Sequence, residues 1–414
     1  MSLRLPLIVF LCTFSWLPDN GALQAATAEG EHSRMMERLG IDHLRPGKNG
    51  WDKDTANPPN YDEAMANPYP DLPPLMVMED GSPVNTPEQW INVRRPELKE
   101  LFAREIYGRV PDEAPDAYWE VMEVKEETLG GIPCQTRLLK GRLDNSECPE
   151  LEVAIDLTVT RPVDAMGTVP VVLHFGWPPE VLARFPQPPG PTWQEQVVAR
   201  GWAAANILPT SVQADNGAGL TAGVIGLAND GQPRDPEDWG ALRAWAWGAS
   251  RALDYLEADP AFDGSRVGLE GLSRYGKAVL VAMAFDGRFS LVLVGSSGAG
   301  GAKILRRDFG ETVENLASSG LFHWMAGNFM KYAGPLGWDD LPVDAHELIA
   351  LCAPRPVFIG AGSLEEEGGW IDQPGMFMAA VAASPAWELL GGKGLTAVTD
   401  EPPVIHEDLI FGDL

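Results

Sequence analysis

The chain has 414 residues, and 45% of them are hydrophobic, enough for a substantial core and too many for a disordered chain. Its 31 Lys and Arg stand against 59 Asp and Glu, a net charge of −28, with no basic run long enough to follow a phosphate backbone; nucleic acid is excluded as a partner. Four Cys are too few for a disulfide-built scaffold, and 36 Pro with 44 Gly, neither periodic, predict many ordered loops.

Residues 1–28 read as a secretory signal peptide. Arg4 supplies the positive start, residues 5–17 the apolar run, and Ala26-Thr27-Ala28 the small-residue cleavage site. The apolar run falls short of the ~20 residues that cross a bilayer, so a secreted or periplasmic location without a membrane anchor is expected. Cys12 leaves with this peptide. Cys134 and Cys148 either pair across neighbouring strands or stay as two buried thiols; Cys352 has no partner by count.

Residues 29–83 carry little periodicity and are expected to wrap the surface. Residues 85–110 predict a helix, with Thr86 as cap, Pro87 at the first position and Trp90, Leu98, Leu101 and Ile106 as its apolar stripe. Strands at 118–124, 134–139 and 151–160 form an antiparallel meander. The pattern then changes: 169–175 is a nearly continuous apolar run, as in a strand buried on both faces, followed by a helix at 194–200 and a second such strand at 202–208. A Gly- and Asp-rich loop spans 217–235. Asp238 is placed to cap a helix reaching about Leu256, with Trp239, Leu242, Trp245, Ala249 and Leu253 on one side. Strands at 266–269, 291–294 and 356–359 alternate with helices at 275–285 and 344–351. This alternation predicts an α/β fold with a mostly parallel sheet covered on both faces, in one domain over residues 29–414 without internal repeats.

Chemistry concentrates in Gly268-Leu269-Glu270-Gly271-Leu272-Ser273-Arg274-Tyr275-Gly276-Lys277. A strand ends, a serine sits on a turn between glycines, and a helix begins. That is the setting of a nucleophile elbow, which lifts the hydroxyl above the sheet and aims helix N–H groups at a developing oxyanion. The second glycine, Gly276, comes one residue later than in strict Gly-x-Ser-x-Gly. Arg274 and Lys277, three apart at a helix start, oppose the helix dipole, so anion or transition-state recognition explains them better than solubility does.

Gly271-Leu272-Ser273-Arg274-Tyr275-Gly276-Lys277 resembles the Gly-Cys-Ser-Arg-x-Gly-Lys signature of the glucuronoyl esterases, carbohydrate esterase family fifteen. Further similarities follow in family order: Arg94-Arg95-Pro96-Glu97, Tyr107-Gly108-Arg109-Val110-Pro111, Ser297-Gly298-Ala299-Gly300-Gly301-Ala302, His323-Trp324, Asn328-Phe329, Asp344-Ala345-His346-Glu347-Leu348, Ala353-Pro354-Arg355-Pro356 and Gly369-Trp370-Ile371-Asp372. The resemblance covers most of residues 85–414. It implies an α/β-hydrolase-like three-layer αβα sandwich, no metal or cofactor, and hydrolysis of esters joining glucuronic acid of xylan to lignin alcohols. Glucuronoxylan or another uronic acid ester is then the substrate, and a monomer is expected. Carried over position by position, Ser273 is the nucleophile, Arg274 stabilises the oxyanion, Lys277 holds uronic acid hydroxyls, Trp370 packs near the sugar and Glu311 hydrogen-bonds it.

Two departures from the family pattern stand out. Many members carry a catalytic Glu just before the Ser-Gly-Ala-Gly-Gly stretch, where this chain has Ser296, which cannot hold an imidazolium by charge. Some bacterial members place the acid in the loop after a later strand, here Gly362-Ser363-Leu364-Glu365-Glu366-Glu367-Gly368-Gly369-Trp370; Glu367 is chosen among its three carboxylates for its spacing from Trp370. The family's catalytic His follows the last strand, but none of His32, His43, His174, His323, His346 and His406 sits in such a loop. Residues 402–414 resemble the segment leading into that strand, so the expectation is that the sequence ends before the general base. His406 serves only if it folds back over Ser273, whereas His174, His323 and His346 read as packed residues. An acetyl xylan esterase and a catalytically silent carbohydrate-binding remnant are the competing readings.

Overall fold

In the computed structural model of the protein, residues 27–395 are described, apart from 51, 53–54, 67–71 and 185–188. The expected signal peptide up to Ala26, and the 402–414 segment with His406, lie outside the described residues. One eight-stranded sheet organises the rest, in the order β1-β2-β3-β5-β4-β6-β7-β8. The strands are β1 Ala117–Leu129, β2 Ile132–Leu143, β3 Ala154–Pro162, β4 Val169–Phe175, β5 Ala203–Ile207, β6 Phe262–Leu272, β7 Leu291–Gly295 and β8 Val357–Gly360. The first three form the expected meander, and β3 joins β5 antiparallel. From β5 to β8 every pairing is parallel. This is an α/β-hydrolase fold.

Seven helices matter here: α1 Ala28–Leu39, α2 over residues 87–107, α3 Trp193–Ala199, α4 Ala241–Ala258, α5 Arg274–Phe285, α6 Ala345–Ala350 and α7 Gln373–Leu389. In α2 the Thr86 capping box forms as expected, and Trp90, Leu98 and Ile106 are fully buried. Its turns at 90–94 and 103–107 are π-helical, the first just before Pro96 removes an N–H from the ladder. The β4 run alternates between two cores. Phe175 meets Tyr275 of α5 on one face, while Val172 on the other joins Val197 and Ala204 beside Trp193 of α3. The expected stripe of α4 is buried throughout, each large side chain contributing roughly 2 kcal/mol.

The structure corrects three local expectations and adds one helix. Residues 29–83 are not all irregular: α1 starts where the Thr27 side chain accepts from Gly30 N and stops at Gly40 in the left-handed region, burying Met35. The 217–235 loop contains a helix, Gly223–Ala228, that buries Val224, Ile225 and Leu227. Asp238 does not cap α4, which begins after Gly240; its carboxylate accepts instead from Asp235 N and the Asn229 side chain. The 17-residue α7 follows Asp372, whose carboxylate accepts from Gly375 N. Cys134, Cys148 and Cys352 are buried free thiols, so the disulfide alternative falls. Among the described residues no helix is long and apolar enough to cross a membrane.

Strand register positions the site. Leu272, Gly295 and Gly360 are successive neighbours at the carboxyl ends of β6, β7 and β8. The segments after them, carrying Ser273, Ser296 and residues 362–370, therefore leave the sheet side by side, where α/β folds bind ligands.

Candidate active site

Ser273 occupies the step between β6 and α5 with φ 61 and ψ −124, a conformation a non-glycine residue adopts only under constraint. The constraint is visible: Ser273 N donates to Gly295 O at 2.8 Å, and Lys277 N donates to Ser273 O at 3.1 Å. The flanking glycines are required by close approach, since a Cβ on Gly271 would lie 2.5 Å from Tyr275 O and one on Gly276 2.4 Å from Gly295 O. The serine is half-buried, and its hydroxyl has no hydrogen-bond partner among the described residues.

Arg274 lies over two indole rings, 5.3 Å from the Trp177 centroid and 5.2 Å from that of Trp324. Its Nη1 donates to Asp215, while its Nε is buried without a partner. Asp215 also accepts from His323 Nε2 at 3.0 Å and from Trp324 Nε1 at 2.7 Å. Burial alone would raise its pKa, but the His323 bond and the Arg274 charge outweigh it and hold it at about 2. Nothing in the sequence marks Asp215, 59 residues before Arg274, except that a half-buried guanidinium needs an anion.

Lys277 is deeper than its helix position suggested, at 4% exposure. Its ammonium donates to Ser297 O and Ala299 O, both at 2.6 Å, and to Glu311 Oε2 at 2.9 Å. All three donors are engaged, so a sugar hydroxyl can use one only by displacing a protein acceptor. Burial lowers the Lys277 pKa, with Glu311 opposing. Glu311 Oε2 also accepts from Ala299 N at 3.2 Å, whereas Oε1 has no partner among the described residues. Glu311, more than Lys277, presents a free group to a hydroxyl.

Trp370 is tied to Glu311 through the backbone, its carbonyl accepting from Glu311 N at 2.8 Å. The N-terminal segment closes around this pair. Gly50 packs on the six-membered ring of Trp370, Asn60 O accepts from Gly310 N at 2.9 Å, and Tyr61 meets Phe309 edge to face. The 29–83 segment thus packs against the residues around Trp370 and Glu311.

Glu367, though exposed, reaches back to the end of β7. Its Oε2 accepts from Ser296 Oγ at 3.0 Å and from Gly362 N at 2.7 Å. The Glu365 and Glu366 carboxylates make no hydrogen bond among the described residues. The histidines lie elsewhere: His32 bonds Ala317 O, His174 contacts Glu270 and Trp193, His323 bonds Asp215 and His346 bonds Pro73 O. None of the described histidines bonds the Ser273 hydroxyl. Among the described residues no group of three or more His, Cys, Asp or Glu is arranged to hold a metal ion.

Comparison with known proteins agrees with this geometry. The family profile "Glucuronyl esterase, fungi" matches residues 234–391. A carbohydrate esterase, MZ0003, from an unknown prokaryote is 34% identical over 368 residues, 82% of each chain. The 4-O-methyl-glucuronoyl methylesterase of Hypocrea jecorina is 29% identical over 77% of this chain and 62% of its own length. Among solved structures, a CE15 glucuronoyl esterase from Teredinibacter turnerae superposes with a TM-score of 0.86 at 43% identity, covering 92% of this chain and 91% of that one. The glucuronoyl esterase from Solibacter usitatus gives a TM-score of 0.72 at 34% identity, covering 83% and 91%. The chain belongs to the CE15 glucuronoyl esterase family of carboxylic ester hydrolases.

Proposed function

We propose that this protein hydrolyses glucuronic acid esters, of the kind joining glucuronoxylan to lignin alcohols, with Ser273 as nucleophile. The observation that carries the reading is the unbonded Ser273 hydroxyl, raised on a strained strand-to-helix step next to Arg274. Ser273 Oγ attacks the ester carbonyl carbon and gives up its proton to a base; the described histidines do not supply it. Arg274 and the α5 backbone amides stabilise the oxyanion. The alcohol leaves with a proton, and water then hydrolyses the glucuronoyl-enzyme to free glucuronate. Glu367 supplies the charge that orients the base, in place of the acid that Ser296 cannot provide. Lys277 holds Glu311, whose free Oε1 accepts a uronic acid hydroxyl beside Trp370. The meander and the parallel half share one sheet and act as one catalytic domain, exported on the strength of the 1–28 signal.

Alcohol release from a benzyl glucuronate, compared with acetate release from acetylated xylan, tests the reading. Release of benzyl alcohol that disappears in Ser273→Ala supports it. Acetate release alone would favour an acetyl esterase, and glucuronoxylan binding without either product a silent binding protein.

A further inference from the structure

Arg274 is held by groups from three separate segments. Trp177 follows β4, Asp215 follows β5, and His323 with Trp324 comes from the stretch after β7. A free arginine side chain carries about 2 kcal/mol of rotamer entropy, and such a cage removes that freedom before a ligand arrives. The cage is also polarised. Asp215 Oδ2 takes the guanidinium, while Oδ1 takes two neutral donors, His323 Nε2 and Trp324 Nε1. Burial lowers the His323 pKa and keeps the ring uncharged, so it donates to Asp215 without competing with Arg274 for its charge. Arg274 keeps Nη2 without a partner among the described residues, and its buried Nε is likewise unmatched.

We propose that Asp215, braced by His323 and Trp324, is a positioning residue that fixes Arg274 so that its open Nη2 meets charge developing on the ester carbonyl oxygen. This rests on the assignment of Ser273 and Arg274 made above. A preorganised donor acts without reorganising as the reaction proceeds, so its loss appears in kcat.

The test is a double-mutant cycle on the full chain with Asp215→Asn, Arg274→Ala and both together, reading kcat and KM on benzyl glucuronate. Asp215→Asn is expected to lower kcat about 10-fold or more with KM little changed, and to cost less than about 2-fold once Arg274 is Ala. An equal loss in both backgrounds overturns the proposal, because Asp215 would then act independently of Arg274. Trp324→Phe, which removes one donor to Asp215 and keeps a ring, provides the same cycle if Asp215→Asn does not fold. If the wild-type protein leaves glucuronate esters intact, the rate of Ser273 phosphonylation by an alkyl p-nitrophenyl phosphonate replaces kcat. Coupling there upholds the positioning role while the glucuronoyl reading falls, and additivity there overturns it.

Discussion

Ser296 donates its hydroxyl to the Glu367 carboxylate at 3.0 Å, joining the end of β7 to the loop after β8. The two residues thus bring a carboxylate from one segment to the place where the neighbouring segment has only a hydroxyl. Glu367 is exposed, so its charge contributes little to packing. Glu367→Gln is therefore expected to reduce kcat by about 100-fold or more while leaving thermal stability nearly unchanged. Glu365→Gln and Glu366→Gln are expected to keep wild-type rates. Steady-state rates on benzyl glucuronate check all three, and equal losses across the loop would remove Glu367 from the mechanism.

The strain at Ser273 gives a second expectation. With φ 61 and ψ −124, its Cβ opposes the backbone conformation. Such strain costs of order 1–3 kcal/mol, whereas glycine loses roughly 0.5–1 kcal/mol to the entropy of the unfolded chain. Strain wins. Ser273→Gly is expected to be about 1 kcal/mol more stable than Ser273→Ala, with both inactive. Urea denaturation of the two variants measures the difference, and equal midpoints would mean that the elbow is relaxed.

The elbow was legible because its signal is local: a strand, a serine between glycines, and a helix lie within ten residues. The α4 stripe and the α2 cap were legible for the same reason. Longer-range features were not. Asp215 meets Arg274 across 59 residues, and the Gly50 contact with Trp370 joins segments that no periodicity connects. Lys277 sits at the start of a helix, where pattern alone suggests a rim position; the sheet neighbour that supplies Ser297 O and Ala299 O makes it a buried ion. The α1 helix was missed because Met35 is its one fully buried apolar side chain, with Met36 and Leu39 only partly buried, too sparse a stripe to register over residues rich in charge. Glu367 was separable from Glu365 and Glu366 by resemblance, but only the fold shows it turning back to Ser296.

The Lys277–Glu311 pair makes a third prediction. Both side chains are almost fully buried and 2.9 Å apart. Removing one charge strands the other, and breaking a buried pair costs about 3–5 kcal/mol. Glu311→Gln is expected to lower stability by about that amount and to raise KM for the uronate ester more than it lowers kcat, because the free Oε1 is also lost as an anionic acceptor. The double variant Lys277→Met with Glu311→Gln is expected to recover part of the stability and none of the KM. Recovery of KM would mean that Glu311 serves only to neutralise Lys277.

Stability should also depend on pH through His346. The ring is buried on α6, bonds Pro73 O at 2.9 Å, and faces Asp344, Arg306 and Arg94. Burial lowers its pKa below the usual 6.5, with Asp344 opposing. The unfolded chain therefore binds a proton at this residue that the folded chain resists, and stability is full above the unfolded value of 6.5 and is lost as pH falls below it. His323, buried beside Asp215 and Arg274, has a lowered pKa and the same sign. The Asp215 carboxyl is depressed as well and contributes with the same sign, but its share fades only as pH falls from 3.8 towards about 2, well outside that window. Urea midpoints at about pH 7.5 and about pH 5 are expected to show the wild-type protein weaker at the lower pH, and His346→Gln less sensitive to the change. Identical pH sensitivity in the two proteins would show that His346 takes up its proton without opposing the fold.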